Sequence, residues 1–290
     1  MSEFDIGAIE RIAQALDGVW EGSNWRCRCP VHGGHSLSIA EGRSGKLLAY
    51  CFAGCNFPEI ARELRDLDLS GVSDATPFIE LDHDRRIEQA RRLYNRAEPA
   101  GTPLDRYLHD RGITIPVPAT LRFLRFCPHR CGSSFPAMLA PVVDIAGEQT
   151  GIHITFLVDF ADKAMRRECR GLLHGGAVRL VDVSTVSLSV DSPQLIIAEG
   201  IETALSCMQL FDIPAWAALS TSGLMSLELP PEIKNVIVAA DHDVNGAGHR
   251  AATAAYYRGV AEGRTIQIIM PPTPDTDFND VLIGGGGRNG

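Results

Sequence analysis

Three short acidic segments could do metal chemistry: Glu199-Gly200, Asp241-His242-Asp243 and Asp277-Phe278-Asn279-Asp280. The first two follow apolar runs, Leu195 to Ala198 and Val236 to Ala240, that read as buried strands. In a parallel α/β sheet, ligands collect beyond the C-terminal ends of the strands, so Glu199, Asp241 and Asp243 are expected to converge there. Carboxylates packed that closely repel unless a cation neutralises them. Oxygen donors without a neighbouring cysteine or free histidine point to Mg²⁺ or Mn²⁺. Asp277 and Asp280 follow the last strand and are candidates for the same rim. Asp243 also precedes Asn245-Gly246-Ala247-Gly248 and a helix, so helix capping competes with metal ligation for it.

A second cluster lies near the N-terminus. Cys29-Pro30-Val31-His32 and Cys51-Phe52-Ala53-Gly54-Cys55 form two short ligand pairs separated by a strand hairpin. Each pair turns the chain sharply and aims two ligands at one centre, as tetrahedral Zn²⁺ requires. With four protein ligands and no open position, such a zinc is structural. Spacing alone leaves Cys27 as an alternative to Cys29, and His35 as an alternative to His32. Cys127, His129 and Cys131 also cluster but lack a fourth ligand.

The elements that must position these residues follow from periodicity and turn chemistry. A helix over 4–17 and another over 57–67 flank the cysteine-rich segment, giving a zinc-binding domain at 1–70. Residues 71–84, acidic and with Pro77, read as a linker. A mixed α+β subdomain follows over 85–190: a helical pattern to Asp110, then antiparallel strands at 138–143, 151–159 and 178–183. From 191 to 290, short apolar runs alternate with helical patterns. That alternation implies a parallel sheet covered by helices on both faces, an α/β domain.

Composition sets outer bounds. At 290 residues with a net charge of −9, the chain is not one that coats DNA through its overall field. Its basic residues are nevertheless grouped, ten arginines between Arg85 and Arg130 and a second cluster of Lys163, Arg166, Arg167, Arg170 and Arg179. An acidic protein with basic patches and a carboxylate pocket fits a metal-dependent enzyme acting on a polyanion. No stretch reaches the roughly 18 apolar residues of a membrane span, and the N-terminus does not read as a signal peptide. The expected location is cytoplasmic, where the eight cysteines are thiols or metal ligands rather than disulfides.

Glu199-Gly200, Asp241-x-Asp243 with Asn245-Gly-Ala-Gly, and Asp277-Phe-Asn-Asp280 resemble the TOPRIM signature. Cys29-Pro-x-His32 with Cys51-x-x-x-Cys55 resembles the zinc motif of bacterial, phage and plasmid primases. Arg111-Gly-Ile, Phe135-Pro-Ala-Met, Gly151-Ile-His-Ile-Thr and Gly175-Gly-Ala-Val-Arg-Leu are similar to the connecting region of the phage- and plasmid-type branch, the type carried by mobile elements. The resemblance implies a zinc ribbon, the N-terminal subdomain of a primase core and a TOPRIM domain, in that order. It implies synthesis of short RNA primers on single-stranded DNA from ribonucleoside triphosphates, beside a separate replicative helicase. Glu199, Asp241 and Asp243 would be catalytic, and with Asp277 or Asp280 would hold the Mg²⁺ or Mn²⁺. Lys163, Arg166, Arg167, Arg170 and Arg179 would contact nucleotide or template. Replicative primases carry an acid four residues after the TOPRIM glutamate; here that position is Thr203, with Glu202 one place earlier. A metal-dependent nuclease and a non-catalytic DNA-binding module are the competing implications.

Overall fold

A computed structural model describes residues 6–20, 24–41, 47–51, 55, 57–66, 83–182, 194–244 and 246–285. The chain divides into two compact units, Met1–Asp82 and His83–Gly290. Except for His83 and Asp84, the expected linker at 71–84 lies outside the described residues, as does Phe4 of the first expected helix.

The first unit is an antiparallel sheet with two helices. Its elements are α1 (Ile6–Ala15), β1 (Val19–Trp20), β2 (Trp25–Cys27), β3 (Leu37–Glu41), β4 (Leu47–Cys51) and α2 (Phe57–Asp66), with the strands in sequential order. Helix α1 buries Ile9, Ile12 and Ala13, the three-and-four spacing of one helix face, and Leu16 just beyond its end is buried as well. Helix α2 buries Ile60, Ala61 and Leu64 in the same way. Between them lie Leu37, Ile39 and Leu47 from the sheet. Trp25 packs half-buried against this core, and Trp20, 52% exposed, meets it edge-on with ring centroids 5.3 Å apart.

The second unit is built on two sheets. The first is antiparallel, with β5 (Glu98–Pro99), β6 (Arg122–Pro128), β7 (Ser134–Val143), β8 (Gln149–Phe156) and β9 (Arg167–Gly171) in sequential order. Helix α3 (His83–Asn95) covers one face, where Ala90, Leu93 and Tyr94 pack on Ala137, Leu139, Ile152, Ile154 and Phe156. Strand alternation sends Met138, Ala140 and Val142 to the other face. There they meet Leu104 and Leu108 of α4 (Thr102–His109), each fully buried and each stabilising by about 1.5–3 kcal/mol.

The second sheet has the order β10 (Val178–Arg179), β12 (Ala215–Ala217), β11 (Gln194–Ala198), β13 (Asn235–Ala239), β14 (Thr265–Ile269). The last four strands are parallel, and β10 is an antiparallel edge on β12. Helices cover both faces, as the unbroken apolar runs require. Ile196 and Ala198 pack on α5 (Ile201–Phe211), while Leu195, Ile197, Val236 and Val238 pack toward α6 (Thr221–Ser226) and α7 (Ala247–Ala261). A final helix, α8 (Phe278–Gly285), buries Phe278 against the α5 side.

Three differences from the sequence reading have physical reasons. Strands β6 and β9 were not expected, because their sequences RFLRFCP and RECRG carry charges on both faces. The strand expected at 178–183 among the antiparallel set instead extends the parallel sheet as β10, where Arg179 stacks over the buried Trp216 ring at 4.4 Å. Finally, the two sheets share one apolar core through Met138, Ala140, Ile196 and Ala198.

Candidate active site

In the first unit the ligand atoms of Cys29, His32, Cys51 and Cys55 all lie within 4.8 Å of one another. Tetrahedral zinc with sulfur ligands needs separations of about 3.8 Å, so little movement closes the site. His32 offers Nδ1, 3.1 Å from Cys55 Sγ and 3.8 Å from Cys51 Sγ. Its other ring nitrogen, Nε2, meets Ser36 Oγ at 2.9 Å, a contact that fixes the ring with Nδ1 toward the thiols. Burial pushes the Cys55 thiol up to about 11, so without a cation it stays protonated, and a bound metal would displace that proton. The structure thereby selects Cys29 over Cys27 and His32 over His35. Cys27 is buried against α1, where a side chain at Gly18 would strike its sulfur.

In the second unit the register pairs Ala198 of β11 with Ala239 of β13. Glu199 and Asp241 therefore leave the sheet one and two residues beyond the same rung. Burial, then Asp243, raises the proton affinity of Glu199. Burial, then Glu199, Asp277 and Asp243, pushes the Asp241 carboxyl up to about 7. Asp241 Oδ1 is buried and accepts no hydrogen bond from the described residues. An orphaned carboxylate oxygen among three further acids fits a divalent cation, and oxygen donors suit Mg²⁺ or Mn²⁺. Among the described residues these carboxylates are not drawn as tightly together as the Cys3His set.

Of the two roles that the sequence left competing for Asp243, the structure shows the contact with the helix start. Its Oδ2 accepts the Gly248 N–H at 2.9 Å near the start of α7, and its charge acts on Glu199. Gly248 must be glycine here, since a Cβ would stand 2.6 Å from the Asp241 carbonyl oxygen. The Asp277-Phe-Asn-Asp280 segment is resolved residue by residue. Asp277 Oδ1 accepts the Asn279 and Asp280 N–H groups, and the Asp280 carboxylate accepts the Asp277 N–H, a reciprocal cap on α8. Asn279 is buried and donates to Arg111 O and Ser206 Oγ. Asp277 thus acts on Asp241, while Asp280 is exposed and turned to the cap. His242 is turned away, its Nδ1 2.9 Å from Pro271 O.

Glu202, whose role the sequence left open, is buried behind this rim rather than in it. The Tyr107 hydroxyl donates to its Oε1 at 2.6 Å, and Arg167 reaches its Oε2 at 3.4 Å. Burial alone would raise Glu202, but Arg167 and Tyr107 outweigh it and hold the carboxyl below its ordinary range. The same Arg167 lowers Glu199 and Asp241, so it is the cation that tempers the acidic rim. Sequence could not supply Tyr107, which comes from α4, 95 residues before its partner.

The remaining basic candidates separate. Arg166 pairs with exposed Asp159 at 2.9 Å. Arg170 pairs with Glu168 at 3.1 Å on the α3 face of the sheet. Arg179 donates to Asp144 O besides stacking on Trp216. The side chain of Lys163 lies outside the described residues. Cys127 is buried with its thiol toward Pro128 O, and His129 is boxed by Phe135, Phe156 and Phe160, a packed cluster rather than a ligand set.

Two outcomes are expected. Purified without chelator, the chain carries one zinc, and removing it unfolds the first unit; zinc content well below one by elemental analysis contradicts this assignment. For Asp241, the folded chain holds the proton to about pH 7 against an ordinary 3.8. A raised carboxyl stabilises most at low pH, and that contribution is lost as pH rises through the folded value. Without divalent metal, the melting temperature of wild type relative to Asp241→Asn should therefore fall as pH rises from about 4 to about 7 and level off above. A pH-independent difference contradicts the crowding.

Residues 194–287 match a family profile described as a Toprim domain, and residues 84–180 match a domain of unknown function, DUF7146. No curated protein matches the chain. Among solved structures, the zinc-binding and RNA polymerase domains of the Aquifex aeolicus primase are similar at 17% identity and a TM-score of 0.49, over 98% of this chain and 81% of that one. The Escherichia coli primase catalytic core is similar at 16% identity and a TM-score of 0.47, over 70% of this chain and 75% of that one. The primase fragment of the bacteriophage T7 primase-helicase is similar at 14% identity and a TM-score of 0.38, over 63% and 66%. The chain thus carries a Toprim domain over residues 194–287, its carboxylates at the C-terminal edge of a parallel sheet, following an α+β subdomain and a Cys3His unit in sequence.

Proposed function

We propose that the chain is a DNA primase, joining ribonucleoside triphosphates into short primers on a single-stranded DNA template. The observation that carries this reading is the unpartnered, buried Asp241 Oδ1 amid Glu199, Asp243 and Asp277 in a Toprim domain. The Cys3His unit in the same chain supports primer synthesis over a nuclease, because zinc ribbon and Toprim together resemble primases. In this reading residues 1–70 bind zinc and help select the template, exposed Trp20 offering a ring for a base to stack on. Residues 85–190 form the N-terminal subdomain of the core, and 191–290 the Toprim domain. The chain is cytoplasmic and works beside a separate helicase; among the described residues no helix is long and apolar enough to cross a membrane.

Asp241, Asp243 and Asp277 would hold Mg²⁺ or Mn²⁺. The ion when bound supplies Lewis-acid chemistry, acidifying a 3′-hydroxyl and neutralising triphosphate charge. Glu199 lies at the same rim with a raised proton affinity, which suits it to take the proton of the attacking hydroxyl. Arg167, steadied by Glu202, is placed for a triphosphate oxygen once the acids are neutralised.

Incubation with single-stranded templates, Mg²⁺ or Mn²⁺ and labelled ribonucleotides should yield short oligonucleotides. Asp241→Asn/Asp243→Asn should lower the yield by roughly a hundredfold or more, the loss of several kcal/mol of charge stabilisation. Cleavage of the DNA without ribonucleotide incorporation would favour the nuclease. Template binding with no metal-dependent chemistry would favour a DNA-binding module.

A further inference from the structure

Strand β14 closes one end of the parallel sheet, so its outer side has no neighbouring strand. The Thr265 N–H donates to Lys234 O, and the Ile269 carbonyl accepts the Ala240 N–H. Residues 265, 267 and 269 therefore turn their backbone groups toward β13, and Ile266 and Ile268 turn theirs outward. Among the described residues no backbone group pairs with those of Ile266 or Ile268. An open row of N–H and C=O groups templates another strand, and edges are normally blunted by a charge, a proline or a bulge. Thr265-Ile266-Gln267-Ile268-Ile269 carries none of these. Its register with β13 is unbroken, and Pro271 and Pro272 come only after its end.

Helix α7 extends this edge. Its core stripe is Gly248, Ala251, Ala252, Ala255 and Gly259. On one flank of the stripe Arg258 reaches the Leu224 and Met225 carbonyl oxygens of α6. Tyr256 and Val260, one turn apart, stand on the opposite flank, toward the open edge, and are 36% and 47% exposed. A Cβ at Gly259 would stand 2.5 Å from Ile266 Cδ1, so these two residues are level. One strand residue onward is about 3.3 Å, and two helix residues back about 3 Å, because α7 runs against the strands. Gln267 is thus level with the Tyr256–Tyr257 pair, whose rings meet edge-on at 5.5 Å.

We propose that the β14 edge pairs antiparallel with β14 of a second copy of this chain, about a two-fold axis at Gln267. Two outward-facing residues separated by one are their own complement. In an antiparallel ladder Ile266 of each copy exchanges both hydrogen bonds with Ile268 of the other. The same rotation sets Gln267 opposite Gln267 and lays the Tyr256–Val260 flank against the same flank of the other α7. An unrelated extended peptide would satisfy the strand and leave that helix flank bare, whereas a second copy covers both. Strand and flank form a strip about 20 Å long and about 20 Å wide, on the order of 400 Å² in projection from each copy, toward the lower end of specific interfaces. The two five-stranded sheets then run on as one. Antiparallel pairing points the C-terminal strand ends of the copies in opposite directions, so each carboxylate rim stays separate. The dimer does not depend on the reaction proposed for the Toprim domain.

Sedimentation velocity of the full zinc-loaded chain over roughly 1–200 µM tests this, since an interface of that size predicts a micromolar dissociation constant. Wild type should pass from monomer to dimer across that range. Gln267 is exposed and lies on the axis, so a charge placed there meets its own copy. Gln267→Lys alone and Gln267→Glu alone should each weaken dimerisation by roughly tenfold or more, like charges standing directly opposite. An equimolar mixture of the two should recover a dimer within about threefold of wild type, because lysine then faces glutamate. Wild type that stays monomeric throughout overturns the proposal. So do single variants that dimerise as wild type does, which place the contact on another surface, and a mixture no better than either variant alone, which removes the axis from Gln267. Should either Gln267 variant fail to melt cooperatively, Tyr256→Lys and Tyr256→Glu, alone and mixed, carry the same outcomes.

Discussion

Mutual repulsion among Glu199, Asp241, Asp243 and Asp277 is the constraint around which the second unit is arranged. The sheet imposes it: β11 and β13 run parallel in register, so acids that follow them emerge at one edge. Water is held off by burial, which raises Glu199 and Asp241 before any neighbour acts. Part of the cost is met by protein groups, since Asp243 caps α7 and Asp277 caps α8. Arg167 meets another part. What remains is concentrated on Asp241, whose Oδ1 has no hydrogen-bond partner among the described residues. A divalent cation would resolve that imbalance.

The antiparallel subdomain serves the same site from behind. Arg167 stands on an edge strand and would be free to follow its solvent-facing entropy. Glu202 restrains it, and Glu202 is itself restrained by Tyr107 from α4. His153, on the same face of the sheet, is buried and held neutral, its pKa pushed down to about 4, so it adds no competing cation. The shared core of Met138, Ala140, Ile196 and Ala198 fixes β9 relative to the parallel sheet. The positive group that tempers the acids therefore depends on packing between two sheets, not on the Toprim domain alone.

Much of this was legible in the sequence for definite reasons. Acids directly following apolar runs announce a strand-end site, and paired Cys and His knuckles announce a closed tetrad. Residues whose position depends on tertiary partners were not legible. Asp277 and Asp280 look equivalent in sequence; only the cap on α8 turns one inward and leaves the other at the surface. The role of Glu202 was open in the sequence, and in the structure it anchors an arginine. Five basic residues between Lys163 and Arg179 looked like one cluster, but the alternation of β9 and the stacking of Arg179 on Trp216 send them to different places. Strand β9 itself was hidden because an edge strand with charges on both faces has no apolar periodicity to betray it.

The central claim is that the crowded carboxylates hold a divalent cation through Asp241. Titration of Mn²⁺ into the zinc-loaded chain, followed by electron paramagnetic resonance of the free ion, tests it most directly, without nucleotide or template. The account predicts that wild type removes Mn²⁺ from solution and that Asp241→Asn removes far less. An Asp241→Asn titration superimposable on wild type, or no uptake by either, would contradict it.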